Sequence, residues 1–328
     1  MNVSKKVAII GAGIAGIAAA RELEAVADVR VFEKSRGLGG RIATRRAEPF
    51  AFDHGAQFFT ARTRQFQSLI NKFPESVVQP WSAKVVTLEA DRKRFKREWY
   101  EDHFIGLPGM NGLLKAMASN LSLQTGTQVG QVAANGDQWR LLNEHQESLG
   151  DFDWVISAAP APQTLALLPE VFTELPRIAA AQYSPCYALM LGFDQAPALH
   201  FDAASVRNEP VAWIAVNNNK PSRPEAASIL IHSDNNWAEE NLDTDQDEII
   251  ARLLASFEQV TGIDGRSAEY SSLHRWRYAR VEQHLESDFL LDSKNRLAAC
   301  GDWCRGNRVE DAYLSGDSLG KSLASLLG

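Results

Sequence analysis

The stretch "VAIIGAGIAGIAAA" (residues 7–20) decides the fold of this chain. It begins as a short apolar run typical of a β-strand, passes through a turn with three glycines and ends in an alanine-rich segment typical of a helix. The next run, "DVRVFE" (28–33), alternates like a second strand and ends in Glu33. This order is a β-α-β unit, which opens a doubly wound parallel sheet. We therefore predict an α/β fold with a Rossmann-type domain.

The glycine turn itself predicts a dinucleotide site. Gly11 permits the tight turn, Gly13 lets the backbone approach a pyrophosphate, and Gly16 lets the helix pack closely on the strand. Glu33 is placed to accept hydrogen bonds from ribose hydroxyls. The cations that follow Glu33 raise NADP as an alternative, but the Glu33 carboxylate would repel its 2′-phosphate. The expected cofactor contacts of this region are Gly11, Ala12, Gly13, Ile14, Gly16, Glu33 and Lys34.

The segment "GLGGRIAT" (37–44) distinguishes FAD from NAD, which a glycine turn alone cannot do. Gly39 and Gly40 let the chain pass close to a pyrophosphate, and Arg41 can neutralise it. A glycine pair followed by arginine is typical of one large FAD superfamily. We therefore expect FAD rather than NAD as the bound cofactor, in contact with Gly40 and Arg41.

The last part of the chain, "AACGDWCRGNRVEDAYLSG" (298–316), predicts the other half of this site. A strand should end at Gly301 and Asp302, followed by a loop and a helix that begins near Val309. In such folds the acidic residue reaches the ribityl chain of FAD. The positive end of the helix dipole faces the N1–C2=O edge of the flavin, where it stabilises charge on the reduced ring.

The sequence patterns divide the chain into two expected domains. Residues 161–275 are richer in aromatics and prolines, with strand-like segments and one acidic helix at about 238–260. Paired strands are expected at 81–100, and "NG" at 135–136 predicts a hairpin. We expect a mixed β/α substrate domain inserted into a discontinuous FAD-binding domain. The FAD-binding domain comprises residues 1–75, 105–160 and 276–328, and the substrate domain comprises residues 76–104 and 161–275.

The composition argues against several classes of function. The 328 residues carry a net charge of −7, which disfavours nucleic acid or an anionic membrane as a partner. No run reaches the ~18 apolar residues of a membrane span. The start of the chain imitates a secretory signal, but its apolar run contains the glycine turn, so we expect a cytoplasmic protein. Three cysteines without a histidine cluster predict neither a disulfide framework nor a metal site, and the oligomeric state stays open.

The chain resembles the bacterial members of the renalase group, within the flavin-containing amine oxidase superfamily. The resemblance runs nearly from end to end and rests on six stretches: "VAIIGAGIAGIAAAREL", "EKSRGLGGR", "DHGAQFFTAR", "VISAAPAPQT", "HRWRYA" and "GDWCRGNRVEDAYLSG". The first two stretches are common to many flavoproteins. The third and the last are narrower, and they carry most of the resemblance.

This resemblance implies a noncovalent FAD and the two-domain arrangement of p-hydroxybenzoate hydroxylase. It implies an oxidase of the 2- and 6-dihydro isomers of NAD(P)H, which passes hydride to flavin N5, releases NAD(P)+ and reduces O2 to H2O2. It raises Lys96, Arg97 and Glu98 to substrate contacts, although such a basic run is otherwise typical of a solvated strand face. It adds Ala56 and Val129 to the expected cofactor contacts.

The residue before the last helix favours this activity over amine oxidation. Amine oxidases often place aromatic side chains there, where this chain has Arg308. A guanidinium repels an ammonium substrate but suits a carboxamide or a phosphate. The sequence also lacks the Asp-Gly motif of a hydroxylase and the second glycine fingerprint of a disulfide reductase. An amine oxidase or desaturase, and a flavin-binding protein without turnover, stay as alternative hypotheses.

The segment "AQFFTAR" (56–62) follows the flavin-binding loop, so we expect it to line the substrate side of the ring. Core packing is the alternative for its two phenylalanines. We assign no general base, because loss of hydride restores an aromatic ring in a dihydropyridine. His54 is available, but a lone histidine is more often structural. The expected substrate contacts are Gln57, Phe58, Phe59, Thr60, Ala61, Cys186 and Arg308, and Tyr183, Trp213 and His232 lie on strands that could also face the cavity.

Overall fold

The computed structural model describes residues 4–90, the backbone of 95–96, and residues 100–328. Its strands are β1 (Lys5–Ile10), β2 (Ala27–Phe32), β3 (Arg45–Ala47), β4 (Phe50–Phe52), β5 (Val78–Pro80), β6 (Val85–Leu88), β7 (Phe95–Lys96), β8 (Phe104–Gly106), β9 (Ser122–Gln124), β10 (Val129–Asn135), β11 (Gln138–Asn143), β12 (Ser148–Phe152), β13 (Trp154–Ser157), β14 (Gln182–Phe193), β15 (Ala203–Val206), β16 (Val211–Val216), β17 (Ala227–Ser233), β18 (Tyr270–Gln283), β19 (Leu290–Asp292) and β20 (Leu297–Ala299).

The α-helices are α1 (Ile14–Leu23), α2 (Arg64–Ile70), α3 (Gly112–Met117), α4 (Ala161–Leu167), α5 (Leu175–Ile178), α6 (Asn235–Glu240), α7 (Gln246–Thr261), α8 (Asp302–Arg305) and α9 (Val309–Leu327). Within the described ranges, no helix is both long enough and apolar enough to cross a bilayer.

A six-stranded sheet carries the start and the end of the chain. Its strand order is β19-β20-β13-β1-β2-β9, and every pair is parallel except β19 with β20. Helix α9 lies directly on α1, because glycines replace side chains at the contact: a Cβ on Gly316 would stand 2.0 Å from the Ala15 carbonyl oxygen. The predicted α/β fold with a Rossmann-type opening is confirmed.

A seven-stranded sheet of order β18-β14-β17-β16-β15-β6-β7 forms the second large layer. Its strands pair antiparallel, apart from the parallel pair of β6 and β15. One face packs against α7 through residues such as Ile231 and Phe257. The other face packs against the hairpin of β3 and β4 through Phe50, Phe52 and Leu230. The expected division into two domains with the boundaries given above stays a prediction.

Two local expectations need correction. The single acidic helix expected at about 238–260 is two helices, α6 and α7. Each has its own aspartate N-cap: Asp234 accepts a hydrogen bond from the Trp237 N–H at 3.0 Å, and Asp245 accepts one from the Asp247 N–H at 2.8 Å. An N-cap at Asp245 starts a new helix, which explains the interruption. The loop expected after Asp302 also begins as a short helix, α8, before the chain reaches Val309.

Candidate functional site

A cavity of about 1920 Å³ lies where the parallel strands of the six-stranded sheet end. Gly11 follows β1, Glu33 follows β2, Ala158 follows β13 and Gly301 follows β20, and all four line the cavity. Open α/β sheets bind ligands in the crevice outside the carboxyl ends of their strands. The topology of the sheet therefore makes this cavity the candidate ligand site.

The glycine turn shapes one side of the cavity. Gly11 has φ +109°, and its N–H donates to the Phe32 carbonyl at 2.8 Å, which ties the turn to the next strand. A Cβ on Gly16 would stand 2.0 Å from the Gly11 carbonyl oxygen, so only glycine permits the close packing of α1. A Cβ on Gly13 would meet no protein atom within 4 Å. Gly13 is therefore open toward the cavity.

A second glycine faces this opening. Gly40 has φ +52°, and its nearest contact for an added Cβ is the Gly13 Cα at 3.9 Å. Two missing side chains thus leave a cradle of bare backbone beside the first turn of α1. Such a cradle, with the N–H groups of a helix start beside it, suits a diphosphate. We use the name glycine wall for the residues that form or support this side of the cavity: residues 11–16, Glu33, residues 37–41 and Asp302.

Glu33 is held in place by its own backbone neighbours. Its Oε2 accepts the Ala12 N–H at 2.9 Å, and its Oε1 accepts the Ser35 N–H at 2.8 Å. Each carboxylate oxygen can accept further hydrogen bonds, so Glu33 keeps acceptor capacity for a hydroxyl. Lys34, beside it, is exposed and lines the cavity.

Arg41 makes a different contact from the one that its sequence context suggests. Its Nη2 pairs with Oδ1 of buried Asp302 at 2.6 Å, and its Nη1 donates to the Ala279 carbonyl at 3.4 Å. Burial alone would lower the pKa of Arg41, but the Asp302 carboxylate raises it above its usual value. Much of the Arg41 charge is therefore offset within the protein. Its predicted role of neutralising a pyrophosphate stays a prediction.

The start of α9 closes the far end of the glycine wall. Val309 and Arg308 line the cavity, and Arg308 is exposed to it. The Oδ2 atom of Asp311 accepts the backbone N–H groups of Arg308 at 3.0 Å and of Asn307 at 3.1 Å. These bonds fix the loop before the helix, so the Arg308 side chain projects from an anchored backbone.

The other predicted residues divide into those that line the cavity and those that do not. Phe59 is buried in the core, with its ring 5.8 Å from Phe66 and 6.1 Å from Phe104. It follows Phe58 in an extended stretch, in which neighbouring side chains point to opposite sides. The cavity is lined by Ile14, Ala56, Gln57, Phe58, Val129 and Cys186, whereas Ala12, Gly16, Phe59, Thr60 and Ala61 lie outside its lining. Lys96 is described by its backbone alone, and Arg97 and Glu98 lie outside the described residues.

Gln57 lines the cavity but uses its amide within the protein. Its Nε2 donates to the carbonyls of Asp53 and of Gly55, the latter at 2.9 Å, and its Oε1 accepts from Lys220 Nζ at 3.2 Å. A direct polar contact with a substrate would have to replace one of these bonds. Cys186 is also at the wall, and burial raises the pKa of its thiol to about 12, so it is a neutral thiol.

A fully buried ion cluster lies behind Gln57. Asp53 Oδ2 accepts from Lys220 Nζ at 3.2 Å and from Arg223 Nη2 at 2.8 Å, and all three side chains have no exposed surface. Burial alone would raise the pKa of Asp53, but the two cations lower it to about 2. Burial lowers the pKa of Lys220 to about 8 in spite of the Asp53 charge. Two cations share one carboxylate, so the cluster carries an excess positive charge.

Histidine and tryptophan side chains form a second part of the cavity lining, which adjoins the glycine wall where the Ala56 N–H donates to the Arg41 carbonyl at 2.8 Å. The His54 ring centroid lies 5.1 Å from that of His274 and 5.0 Å from that of Trp276, and the His274 and Trp276 centroids are 4.3 Å apart. The His54 carbonyl accepts two hydrogen bonds, from Trp276 Nε1 at 2.8 Å and from His232 Nε2 at 3.1 Å. We call residues 54–58, Trp213, His232, His274 and Trp276 the histidine wall.

The histidine wall is uncharged. Burial, with the neighbouring charges of His274 and Arg45, lowers the pKa of His54 to about 4. Burial also lowers the pKa of His274, and Arg45 adds to the effect. Two ring nitrogens of this wall, His54 Nδ1 and Trp213 Nε1, are buried without a partner in the part of the chain that the structure describes. The wall therefore offers aromatic faces and neutral ring nitrogens to a ligand.

Charge around the cavity is strongly one-sided. Of the described residues that line it, two are acidic, Glu33 and Asp302, and both already bind protein donors. Ten are basic: Lys34, Arg36, Arg41, Arg45, Arg46, Lys115, Arg275, Arg277, Arg280 and Arg308. The whole chain, in contrast, carries a net charge of −7. A cationic cleft in an acidic protein attracts anionic ligands.

Solved structures with the same fold include oxidases. A protein from Exiguobacterium sp. 255-15 named "putative protoporphyrinogen oxidase" is similar over 99% of both chains, with 14% identity and a TM-score of 0.77. Cyclohexylamine oxidase from Brevibacterium oxydans IH-35A is similar over 99% of this chain and 100% of its own, with 13% identity and a TM-score of 0.74. Putrescine oxidase is similar over 98% of both chains, with 12% identity and a TM-score of 0.69. At these identities the likeness shows the fold.

Family comparison adds the cofactor class. Residues 9–73, which contain the glycine turn and Glu33, match the NAD(P)-binding Rossmann-like domain. Residues 87–318 match the family described as flavin containing amine oxidoreductase. The residues present fit such a group, because the cradle at Gly13 and Gly40 leaves room that a side chain would fill. The second match spans well over half of the chain, so the protein belongs to the flavin-containing amine oxidoreductase family, whose description implies a flavin cofactor.

Proposed function

We propose that the protein binds FAD without a covalent link and oxidises the 2- and 6-dihydro isomers of NAD(P)H to NAD(P)+, as the renalase group does. The proposal assigns residues 1–75, 105–160 and 276–328 to FAD binding, and residues 76–104 and 161–275 to the substrate. It is narrower than the family description, and two solved structures with the same fold carry the names of amine oxidases.

The observation that carries the proposal is the charge of the cavity. Among the described residues, ten basic and two acidic ones line it, and the acidic pair is already engaged by Arg41 and by backbone N–H groups. The FAD diphosphate accounts for part of this positive charge. The remaining positive charge includes Arg45, Arg275 and Arg277. The charge of Arg45 helps to lower the pKa of His54 in the histidine wall. Such a cleft repels a diamine such as putrescine and suits a substrate that carries phosphates.

Residues of the glycine wall would hold the cofactor. The cradle of Gly13 and Gly40 and the start of α1 suit its diphosphate, and Glu33 suits ribose hydroxyls. Asp302 suits the ribityl chain, and the start of α9 suits the electron-rich edge of the ring. Cys186 is the one cysteine at the cavity in the described part of the chain, and its high thiol pKa favours noncovalent binding.

For this reaction the protein has mainly to bind the substrate and align it with the flavin. When bound, the flavin would supply the hydride acceptor, and its reoxidation by O2, with one proton taken from solvent, would give H2O2. The protein holds the dihydropyridine between the two walls and keeps water away. The histidines of the wall are neutral, and a ring that becomes aromatic on losing hydride needs no base.

Anaerobic stopped-flow mixing tests this function. The flavin-loaded protein is mixed separately with 2-dihydro-NAD, 6-dihydro-NAD, ordinary NADH, putrescine and cyclohexylamine. We expect rapid bleaching of the flavin by the first two compounds, and steady H2O2 release with them in air. Reduction by an amine would favour the amine oxidase hypothesis. Reduction by none of the five would contradict the proposal and favour a flavin-binding protein without turnover.

A further inference from the structure

A single row across the seven-stranded sheet places His232 at the cavity. His274 on β18 pairs with Ala188 on β14, Ala188 pairs with His232 on β17, and His232 pairs with Trp213 on β16. Residues paired in register lie side by side on the same face of a sheet. Ala188 has a small side chain, so it leaves room between the two histidines, and the other three residues of the row line the cavity.

The hydrogen bond of His232 determines which ring nitrogen carries the proton. His232 Nε2 lies 3.1 Å from the His54 carbonyl oxygen, and a carbonyl can only accept. Nε2 therefore carries the hydrogen, and in a neutral ring Nδ1 has a free lone pair. His232 is half-buried and lines the cavity, and its Nδ1 has no partner among the described residues. It is an open acceptor at the cavity.

The surroundings of His232 oppose a second proton on the ring. Lys220 carries the excess positive charge of the buried ion cluster and lies close enough to act on His232. His54 and His274, the titratable neighbours, are themselves held neutral beside Arg45. Burial and the Lys220 charge lower the pKa of His232 to about 4, against the raising effect of its bond to His54. The ring stays neutral, and Nδ1 stays an acceptor, at any ordinary working pH.

We propose that His232 is a specificity residue whose Nδ1 accepts a hydrogen bond from an N–H group of the substrate. The inference rests on the proposed function, in which the group is the carboxamide NH2 of the dihydronicotinamide ring. A carboxylate or a ketone at the same place would bring an oxygen lone pair or a methyl group against Nδ1. The histidine wall therefore selects primary amides over acids and ketones of the same shape.

Ligand binding tests this without turnover. The flavin-loaded protein is titrated with benzamide, acetophenone and N,N-dimethylbenzamide, and the flavin absorption spectrum is followed. We expect benzamide to bind about 3–10-fold more tightly than either compound without an N–H group, the range that one net hydrogen bond supplies. The same titrations are done on His232→Phe, which removes Nδ1, and on His145→Phe, which changes an exposed histidine outside the cavity lining.

Each result decides the inference. The benzamide preference should vanish in His232→Phe and persist in His145→Phe. A preference below twofold in the wild type, or no benzamide binding at all, would overturn the inference, and so would a preference that survives in His232→Phe. If His232→Phe does not retain flavin, the three ligands on the wild-type protein still decide. Failure of the proposed function is a separate result, since it appears as an absence of flavin reduction by dihydro-NAD isomers.

Discussion

The two walls of the cavity are built by different means. The glycine wall is made largely of backbone. Gly13 and Gly40 leave space, and Gly11 and Gly16 permit close packing. The Glu33 carboxylate is held by two backbone N–H groups, those of Ala12 in the turn and of Ser35. The histidine wall is made of side chains from separate strands, locked through the His54 carbonyl and backed by a buried ion cluster. Adding a side chain should therefore impair packing or binding at the glycine wall. Removing a charge or a ring nitrogen should impair stability or binding at the histidine wall.

The largest expected effect is on the ion cluster behind the histidine wall. Asp53→Asn leaves Lys220 and Arg223 buried with no counter-charge, so we expect the free energy of unfolding to fall by about 3–5 kcal/mol. Urea unfolding measures it. Asp151→Asn is the matched control, since it breaks a solvent-screened surface pair with Arg140 and should change the free energy of unfolding far less. Similar losses in the two variants would mean that the cluster does not support the wall.

Two alanine substitutions in the glycine wall should separate folding from cofactor binding. Gly16→Ala pushes a Cβ to 2.0 Å from the Gly11 carbonyl, so we expect a loss of about 3 kcal/mol or more in unfolding free energy. Gly13→Ala meets nothing in the protein, so the flavin-free protein should unfold as the wild type does. Its Cβ would occupy the cradle, so flavin affinity should fall. Thermal unfolding and flavin titration of both variants test this, and unchanged flavin binding by Gly13→Ala would argue against the cradle.

Substitution of Arg308 tests whether this side chain contacts the substrate or the cofactor. We expect Arg308→Ala to keep its flavin and its flavin spectrum, because the loop is fixed by Asp311 through backbone N–H groups rather than through this side chain. Its kcat/KM for dihydro-NAD isomers should fall ~10–100-fold, equivalent to ~1.4–2.7 kcal/mol. Stopped-flow reduction gives the rate. A wild-type rate would refute the assignment, and loss of flavin would place Arg308 in the cofactor site.

The last expected effect is a dependence of stability on pH, spread over the range in which the histidines titrate. In the folded protein His54 and His232 have pKa values of about 4, whereas an unfolded histidine titrates near ~6.5. As the pH falls below ~6.5, the unfolded chain binds protons first, so the unfolding free energy decreases down to about pH 4. The slope is at most about 1.4 kcal/mol per pH unit for each histidine. Urea unfolding from pH 7.5 to 4.5 measures it. His232→Phe should flatten the slope, and a flat wild-type profile would contradict the neutral wall.

The glycine wall was predictable because its signals are local. A strand, three glycines, a helix and Glu33 follow one another within residues 5–33, and each of these patterns predicts one structural role. The helix division at Asp245 was missed although its aspartate N-cap was visible in the sequence. The pairing of Arg41 with Asp302 was not predictable, because the two residues stand 261 positions apart and each also suits a cofactor contact.

Most of the histidine wall could not be predicted from the sequence, because its residues in contact are also far apart along the chain. Asp53 and Lys220 are 167 positions apart, and no spacing rule joins them. The stretch "HRWRYA" (274–279) alternates rings and cations, which is a signal for a strand with one aromatic side, but it does not say what that side faces. Gln57 was expected to face a substrate, and nothing in the sequence indicates that its amide is used by Lys220, Asp53 and Gly55.

The close contact of α9 with α1 has a consequence for biosynthesis. The first helix of the chain is covered by the last one, with Gly316 against Ala15, and Asp302 and Val309 complete the cavity from the final 27 residues. Until residues 302–327 have been synthesised, the glycine turn exists but the cavity lacks one side. The pocket therefore becomes whole only once α9 has packed on α1, and a chain cut short before α9 would leave the apolar face of α1 uncovered.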